Sequence, residues 1–259
     1  MVSPAAAFGT NGRPGPETEG DLYDANLDFF TDILFHSGLL ESRLETVRRR
    51  QQKGGYRDAD PWAAQTADDV ASRPGRWKKM AAGAAQILQT FLSSESFPVE
   101  KMGMKISILH DLLRMVSAAF YPTRIGWGWI WCPTVKGPAD VDAFIRDPGV
   151  NPFIELADGP FARRISNGGF SSVVFAVTSV VQCPAALSLA GWCRSKAPDL
   201  RRRLRAPGNI AASISGFFDE LVASGQTFDA ARFFASTEKE NPPRNFQPRL
   251  ARWRVDETG

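Results

Sequence analysis

Residues 77–92, WKKMAAGAAQILQTFL, carry the clearest helical pattern in the chain. The stretch is rich in alanine and poor in β-branched residues, which favours helix. Its larger apolar residues recur at the spacing of one helix face: Met80, Ile87, Leu88 and Phe91. A second helical pattern follows Pro98 and should stop before Pro122, because proline disfavours helical backbone in the residue that precedes it. Two neighbouring antiparallel helices are therefore predicted.

Weaker patterns on both sides of this pair favour an all-α or mostly α fold with a single helical core domain. The further helices are predicted as an acidic hairpin over 21–45 that breaks at Gly38, a short helix at 62–70 within a long loop at 51–75, a short helix after Pro138, two buried helices at 171–182 and 185–193, a helix that begins near Pro198, another at 209–223 and a last one at 228–234. Strand is expected only within 124–135.

The core domain is predicted to cover residues 21–236, with an arm at each end. Residues 1–20 mix proline, glycine and small polar residues without helical or strand period, which is typical of a flexible arm. Residues 237–259 are polar and interrupted by proline, yet they keep Phe246, Leu250 and Trp253. Isolated apolar residues of this kind suit docking into a groove on another subunit.

Composition indicates a chain with a real core in a reducing compartment. The sequence is 43% hydrophobic and 11% aromatic, which a chain unable to bury a core would not carry. Its three cysteines are an odd number and cannot form a closed disulfide framework, so a cytoplasmic location is expected. Residues 170–192 lack a formal charge, but polar residues and Pro184 interrupt them, so buried helices are favoured over a membrane span.

Nothing in the sequence reads as an active site. A P-loop, a GxGxxG fingerprint, a GxSxG elbow and an HExxH motif are all missing from the sequence. His36 and His110, the only histidines, fall on apolar helical patterns, where a packed histidine is commoner than a metal ligand. The sequence therefore predicts a protein without enzymatic activity, cofactor or metal.

Arginine is the most informative residue type. The chain holds 23 arginines against 8 lysines, and the planar guanidinium suits bidentate phosphate binding. A GC-rich genome gives the same bias without any function. The arginines cluster at 48–50, 163–164 and 201–205, and Arg124 precedes tryptophans at 127, 129 and 131. The alternation of these tryptophans predicts one aromatic stripe, which serves either as a core or subunit contact or as a platform for stacked bases.

The stretch at 216–221, GFFDEL, is similar to the aromatic-aspartate element of coat proteins from flexuous plant viruses. The arms, the arginine clusters and the 32 alanines, 19 serines and 18 prolines also resemble the proline-alanine-serine-rich RNA-coating proteins of polymycoviruses. The resemblance to these filamentous RNA virus proteins implies a helical core, arms that link subunits and an arginine-lined groove for RNA. It also implies that Asp219 pairs with an upstream arginine, either Arg163, Arg164 or one from 201–205.

The leading hypothesis is a structural coat or nucleocapsid protein that binds RNA without sequence preference and assembles with itself through its arms, in the host cytoplasm and the virion. Its RNA is single-stranded or double-stranded, and no membrane is expected. The predicted RNA-binding residues are Arg48, Arg49, Arg50, Arg124, Trp127, Trp129, Arg163, Arg164, Arg201, Arg202, Arg203 and Arg205. Two alternatives stay open: a structural or scaffold protein without nucleic acid, whose arginines pair with the acidic 21–45 hairpin, and an intracellular enzyme of unrecognised family.

Overall fold

The structure is a computed structural model that describes residues 5–9, 21–92, 99–127, 129–136, 138–177, 182–207, 211 and 214–224. Within these ranges the fold is mostly helical, as the sequence predicts, but it also contains two sheets. The restriction of strand to 124–135 is therefore wrong.

Nine α-helices are described in these ranges: α1 (Ala25–Asp28), α2 (Ser37–Gln52), α3 (Pro61–Ser72), α4 (Pro74–Leu92), α5 (Val99–Ala119), α6 (Pro138–Arg146), α7 (Phe153–Leu156), α8 (Ala162–Gly168) and α9 (Cys183–Lys196). A π-helical segment, Phe29–Leu34, continues α1, and a second, Ala157–Phe161, joins α7 to α8. The patterns at 62–70, 77–92, 185–193, after Pro98 and after Pro138 are confirmed as helical.

Helices α2 to α5 pack against one another because each has an apolar face. Helix α2 contacts α3, α4 and α5, and its Leu40, Leu44 and Val47 are at most 2% exposed. These three residues recur at intervals of four and three, which places them on one side of the helix. Arg43, also buried on α2, donates through Nη1 to the carbonyl of Ile33 at 2.5 Å and forms an ion pair with Glu155 of α7. This arginine joins the α2 to α5 group to the second half of the chain.

A five-stranded mixed sheet combines two strands from the start of the chain with three from its second half. Its strands are β1 (Ala5–Gly9), β2 (Asp21–Asp24), β5 (Ser172–Ala176), β6 (Arg201–Pro207) and β7 (Glu220–Ser224), in the order β2-β1-β5-β6-β7. Strand β1 is antiparallel to β2 and β5, whereas β5, β6 and β7 are parallel. Helix α9 forms the crossover that the parallel pair β5 and β6 requires.

One face of this sheet belongs to the core. Val173 and Phe175 of β5 are fully buried, and Leu204 of β6 is 1% exposed. The Phe175 ring lies 6.4 Å from that of Phe161, which in turn meets Trp192 of α9 edge to face at 5.6 Å. The sheet therefore packs on the π-helical segment before α8, and this segment in turn packs on α9.

Four helix predictions fail where the sheet forms, two of them only in part. The acidic hairpin over 21–45 begins as β2, and its helical break falls at residues 35–36 instead of at Gly38. The pattern at 171–182 contains β5, and the helix expected from Pro198 is β6. The described part of 209–223 is helical at 211 and 214, continues as a short 3-10 turn, Ser215–Phe217, and ends in β7. In β5 and β6 the apolar residues pack on one side of the sheet instead of around a helix: Val173, Phe175, Leu204 and Ala206.

The predicted arms lie mostly outside the described residues. The N-terminal arm includes β1, which the structure places between β2 and β5 as a sheet strand, so that part of the arm differs from the prediction. Residues 228–234 and 237–259, with Phe246, Leu250 and Trp253, are outside the described ranges. No helix among the described residues is long and apolar enough to cross a membrane.

Candidate nucleic-acid interface

The arginines of β6 alternate between the two faces of the sheet. Leu204 and Ala206 are buried on the core face, so Arg201, Arg203 and Arg205 point to the opposite face. Arg201 and Arg205 are exposed, and neither forms an ion pair within 4 Å with any described residue. The helix predicted from near Pro198 would place Arg201, Arg202 and Arg205 on one side, with Arg203 at its edge. This grouping is wrong, because the side chains of a strand alternate with a period of two residues.

The neighbouring strand leaves this arginine row accessible. In the parallel register, Ser172, Val174 and Ala176 of β5 lie beside Arg201, Arg203 and Arg205. These small or medium side chains are only partly buried, in contrast to Val173 and Phe175 on the core face. Alternate strand residues are roughly 7 Å apart. The face therefore presents three guanidinium groups in a line, a spacing comparable with that of phosphates along an extended single strand.

Arg202 serves the fold rather than the arginine row. Its Nε donates to Oδ2 of Asp219 at 3.0 Å, its Nη2 donates to Oδ1, and its backbone N–H donates to Oδ2 at 2.8 Å. These hydrogen bonds from Arg202 hold the pKa of Asp219 below its ordinary value. The side chain of Arg202 is 12% exposed, so a phosphate would have to displace Asp219 to reach it. Of the candidate partners for Asp219, the 201–205 cluster supplies the arginine.

Arg203 is partly neutralised on the accessible face. Its Nε and Nη2 donate to the two carboxylate oxygens of Glu220 at 2.9 and 3.2 Å. Glu220 lies directly beside Arg203 in the register of β6 and β7. Since Glu220 is 54% exposed and the Arg203 side chain 34% exposed, the pair is open to solvent and to a competing anion.

The arginines at 48–50 lie on a different surface and have local partners. Arg48 and Arg49 pair with Glu45, one helical turn earlier on α2. Arg50 donates to the carbonyl of Tyr121 at 3.1 Å and lies over the rings of Tyr56 and Tyr121. Arg50 therefore fixes the end of α2 to the chain that follows α5.

Arg124 is enclosed by aromatic rings. It donates to Asp60 at 2.6 Å, lies 5.2 Å from the ring centres of both Trp62 and Trp131, and is 14% exposed. This arrangement uses the guanidinium plane for packing inside the protein. RNA could reach Arg124 only after these contacts open.

The predicted tryptophan stripe does not form, because the chain reverses within it. Strand β3 (Arg124–Ile125) pairs antiparallel with β4 (Ile130–Trp131), so the tryptophans lie on a hairpin and not along one strand. Trp127 stacks on Phe30 at 6.3 Å and packs against Phe35. Trp129 covers Gly126, where a Cβ would come within 2.5 Å of the indole. These contacts favour the alternative in which the tryptophans line a core.

Arg163 and Arg164 lie on α8, away from the strands that carry the arginine row. Arg163 is 67% exposed and lies 3.8 Å from Asp32 of the acidic segment. The predicted RNA-binding residues are therefore distributed over α2, the β3–β4 hairpin, α8 and β6. Of these elements, β6 presents three arginines on one accessible face.

The cysteines and possible metal ligands are the other groups with candidate chemistry. Burial raises the pKa of both Cys183 and Cys193 to about 12, so these thiols stay protonated at neutral pH. Cys132 is also buried. Within the described ranges, no group of three or more His, Cys, Asp or Glu side chains is placed to hold a metal ion.

Two acidic residues beside the arginine row lie outside the predicted site. In the helix predicted at 209–223, Asp219 and Glu220 are most simply surface charges or caps, and only the resemblance pairs Asp219 with an arginine. In the structure Asp219 binds Arg202 and Glu220 binds Arg203. The alternation of arginine with Leu204 and Ala206 was the available signal for a strand.

Comparison of the chain with family models, with curated proteins and with solved structures finds no match in any of the three.

Proposed function

We propose that this protein is a structural RNA-coating protein that binds RNA through its phosphates and without sequence preference. The observation that supports the proposal is the row formed by Arg201, Arg203 and Arg205 on an accessible sheet face. Cations that neutralise phosphates release condensed counterions, which drives binding independently of base sequence. The face offers no aromatic side chain among the described residues of β5 and β6, so phosphate contacts dominate over stacking.

The proposal includes self-assembly through the ends of the chain, in the cytoplasm of a host cell and in a virion. Residues 237–259 carry three large apolar anchors in a polar sequence, a composition that suits binding to a groove on a second subunit. Arginines that form ion pairs within the chain are compatible with this proposal, because a coat subunit must be rigid as well as basic. The pairs Arg43–Glu155 and Arg124–Asp60 have that structural role.

A second candidate is a scaffold protein that binds no nucleic acid. It is favoured by the ion pairs that occupy several of the predicted RNA-binding arginines, such as Arg202–Asp219, Arg203–Glu220 and Arg163–Asp32. The ratio of absorbance at 260 and 280 nm of the purified full chain separates the two candidates, since co-purified RNA raises it.

The decisive experiment measures the salt dependence of binding to fluorescent oligouridylate and oligoadenylate. If Arg201 and Arg205 each contact one phosphate of a single strand, the slope of log K against log salt is about −1.4, and a third contact by Arg203, once released from Glu220, would bring it to about −2. Changing Arg201→Gln and Arg205→Gln together should weaken both RNAs alike and reduce the slope by roughly 1.4. The same oligomers as duplexes show whether single-stranded or double-stranded RNA is preferred.

The matched control is the double variant Lys78→Gln and Lys79→Gln, which removes two exposed charges from α4. It should leave the slope unchanged. Equal slopes for the two double variants would show that net charge, and not the β6 face, governs binding, and would remove β6 from the interface.

A further inference from the structure

A cavity of about 370 Å³ lies between α6, α7 and α9, apart from the arginine face of the sheet. Its apolar wall includes Ile145, Ala157 and Trp192. Ile145 and Ala157 are buried, at 9% and 2% exposure, so this wall is a firm part of the core. The volume is at the lower end of the range for small-molecule sites.

Contacts among the lining residues and with the core behind them hold the wall in place. The indole N–H of Trp192 donates to Asp158 at 2.9 Å, and its ring meets Phe161 edge to face at 5.6 Å. At Gly191 an added Cβ would lie 3.1 Å from Cδ1 of Ile145, so α9 and Ile145 pack closely at this part of the cavity wall. The indole plane is thus fixed in orientation before any ligand arrives.

The rim of the cavity is basic. Arg146, Arg194 and Lys196 line it and are exposed, against the single carboxylate of Asp158, which already accepts the indole hydrogen bond. Arg194 lies over the Phe217 ring and is 4.0 Å from Asp142, whereas Arg146 and Lys196 form no ion pair with any described residue. An apolar wall under two uncompensated cations favours a ligand with a flat apolar body and a negative group.

We infer that this cavity binds a small organic anion with a flat unsaturated body, the body against Trp192 and Ile145 and the anionic group on Arg146 and Lys196. The inference does not depend on RNA binding, because none of these residues belongs to the arginine row on β6. A nucleoside monophosphate and an aromatic carboxylate share this chemistry.

The test is a titration of the full chain with 8-anilinonaphthalene-1-sulfonate, which combines a flat body with a sulfonate. One saturable site is expected, with quenching or energy transfer from tryptophan. Changing Arg146→Gln and Lys196→Gln together should raise the dissociation constant about tenfold, since each lost charged contact is substantial. The variant Lys78→Gln with Lys79→Gln, of equal charge change, should bind the dye like the unmodified chain.

Competition then identifies the source of the ligand. Displacement of the dye by adenosine monophosphate supports a nucleotide site, and displacement by naphthoate supports a site for aromatic carboxylates. Three results would overturn the inference: no saturable binding, equal affinity in the two double variants, or no displacement by either competitor. Because the readout is a small dye and not RNA, failure here is distinct from failure of the proposed RNA interface.

Discussion

Glu220 should restrain RNA binding, and Glu220→Gln should therefore strengthen it. The carboxylate of Glu220 accepts two hydrogen bonds from Arg203, the central residue of the β6 row, and lies on the accessible face. A phosphate that contacts Arg203 must displace this carboxylate and also approach a negative charge. Replacing Glu220 with glutamine removes both costs and keeps the shape of the side chain.

The size of the effect follows from exposure. Arg203 and Glu220 are 34% and 54% exposed, and ion pairs of this kind contribute about 0.2–1 kcal/mol. Removing that competition should increase affinity for oligouridylate by about 1.4- to 5-fold. If Arg203 then gains a full phosphate contact, the salt slope becomes steeper by up to roughly 0.7.

The assay is fluorescence anisotropy with a labelled oligouridylate across a series of salt concentrations. Glu45→Gln is a close control, because Glu45 pairs with Arg48 at 3.1 Å with exposures of 53% and 32% but lies on α2. Its affinity should match that of the unmodified chain. If Glu220→Gln binds no more tightly than Glu45→Gln, Arg203 does not contact phosphate and the proposed geometry fails.

Three further outcomes follow from the packing, the thiols and the chain ends. Phe175→Ala should lower the free energy of unfolding by about 3–5 kcal/mol in denaturant titrations, because the ring is fully buried, whereas Leu221→Ala, at 48% exposure, should cost under about 0.5. Burial raises the pKa of Cys183 and Cys193 from 9.0 to about 12, so between these pH values the folded chain keeps protons that the unfolded chain loses. The free energy of unfolding should therefore fall as the pH rises from about 9 to 12. Equal unfolding midpoints in denaturant at about pH 8 and about pH 10.5 would contradict this prediction. Deleting 237–259 should leave a folded, smaller species by sizing chromatography and weaken binding to long RNA more than to short oligomers, and an unchanged elution volume would refute a role in assembly.

The helices that sequence patterns predict well are those with one apolar face and clear boundaries. Helix α4 combines alanine with regular apolar spacing, and α5 ends before Pro122 as expected. Both carry their helical signal locally, so no distant contact is needed to interpret them.

The sheet was missed because its strands depend on distant partners. Residues 172–176, SVVFA, have a period-two burial pattern and are rich in valine, a β-forming signal that the long apolar run around it concealed. Strand β7 pairs with β6 in parallel, a contact that periodicity in either segment alone does not reveal. For the candidate site, the sequence predicts the 201–205 cluster. A helix and a strand place different arginines of this cluster on one face, so only the pairing register of β5 and β6 shows which arginines point away from the core.

The proposed RNA binding and the proposed assembly are connected through the distribution of charge along β6. Asp219 engages Arg202 and Glu220 engages Arg203, which leaves Arg201 and Arg205 as the members of the cluster without an ion pair among the described residues. Phosphate contacts by these two arginines alone would give one subunit modest affinity and a shallow slope of log K against log salt, about −1.4 for a single strand. Subunits held side by side along one RNA would add such contacts without any new chemistry, because each further contact becomes effectively intramolecular. Under the proposed function, weak binding by each subunit would make self-association a condition for coating, and the acidic residues beside the row would suppress binding to short, isolated strands.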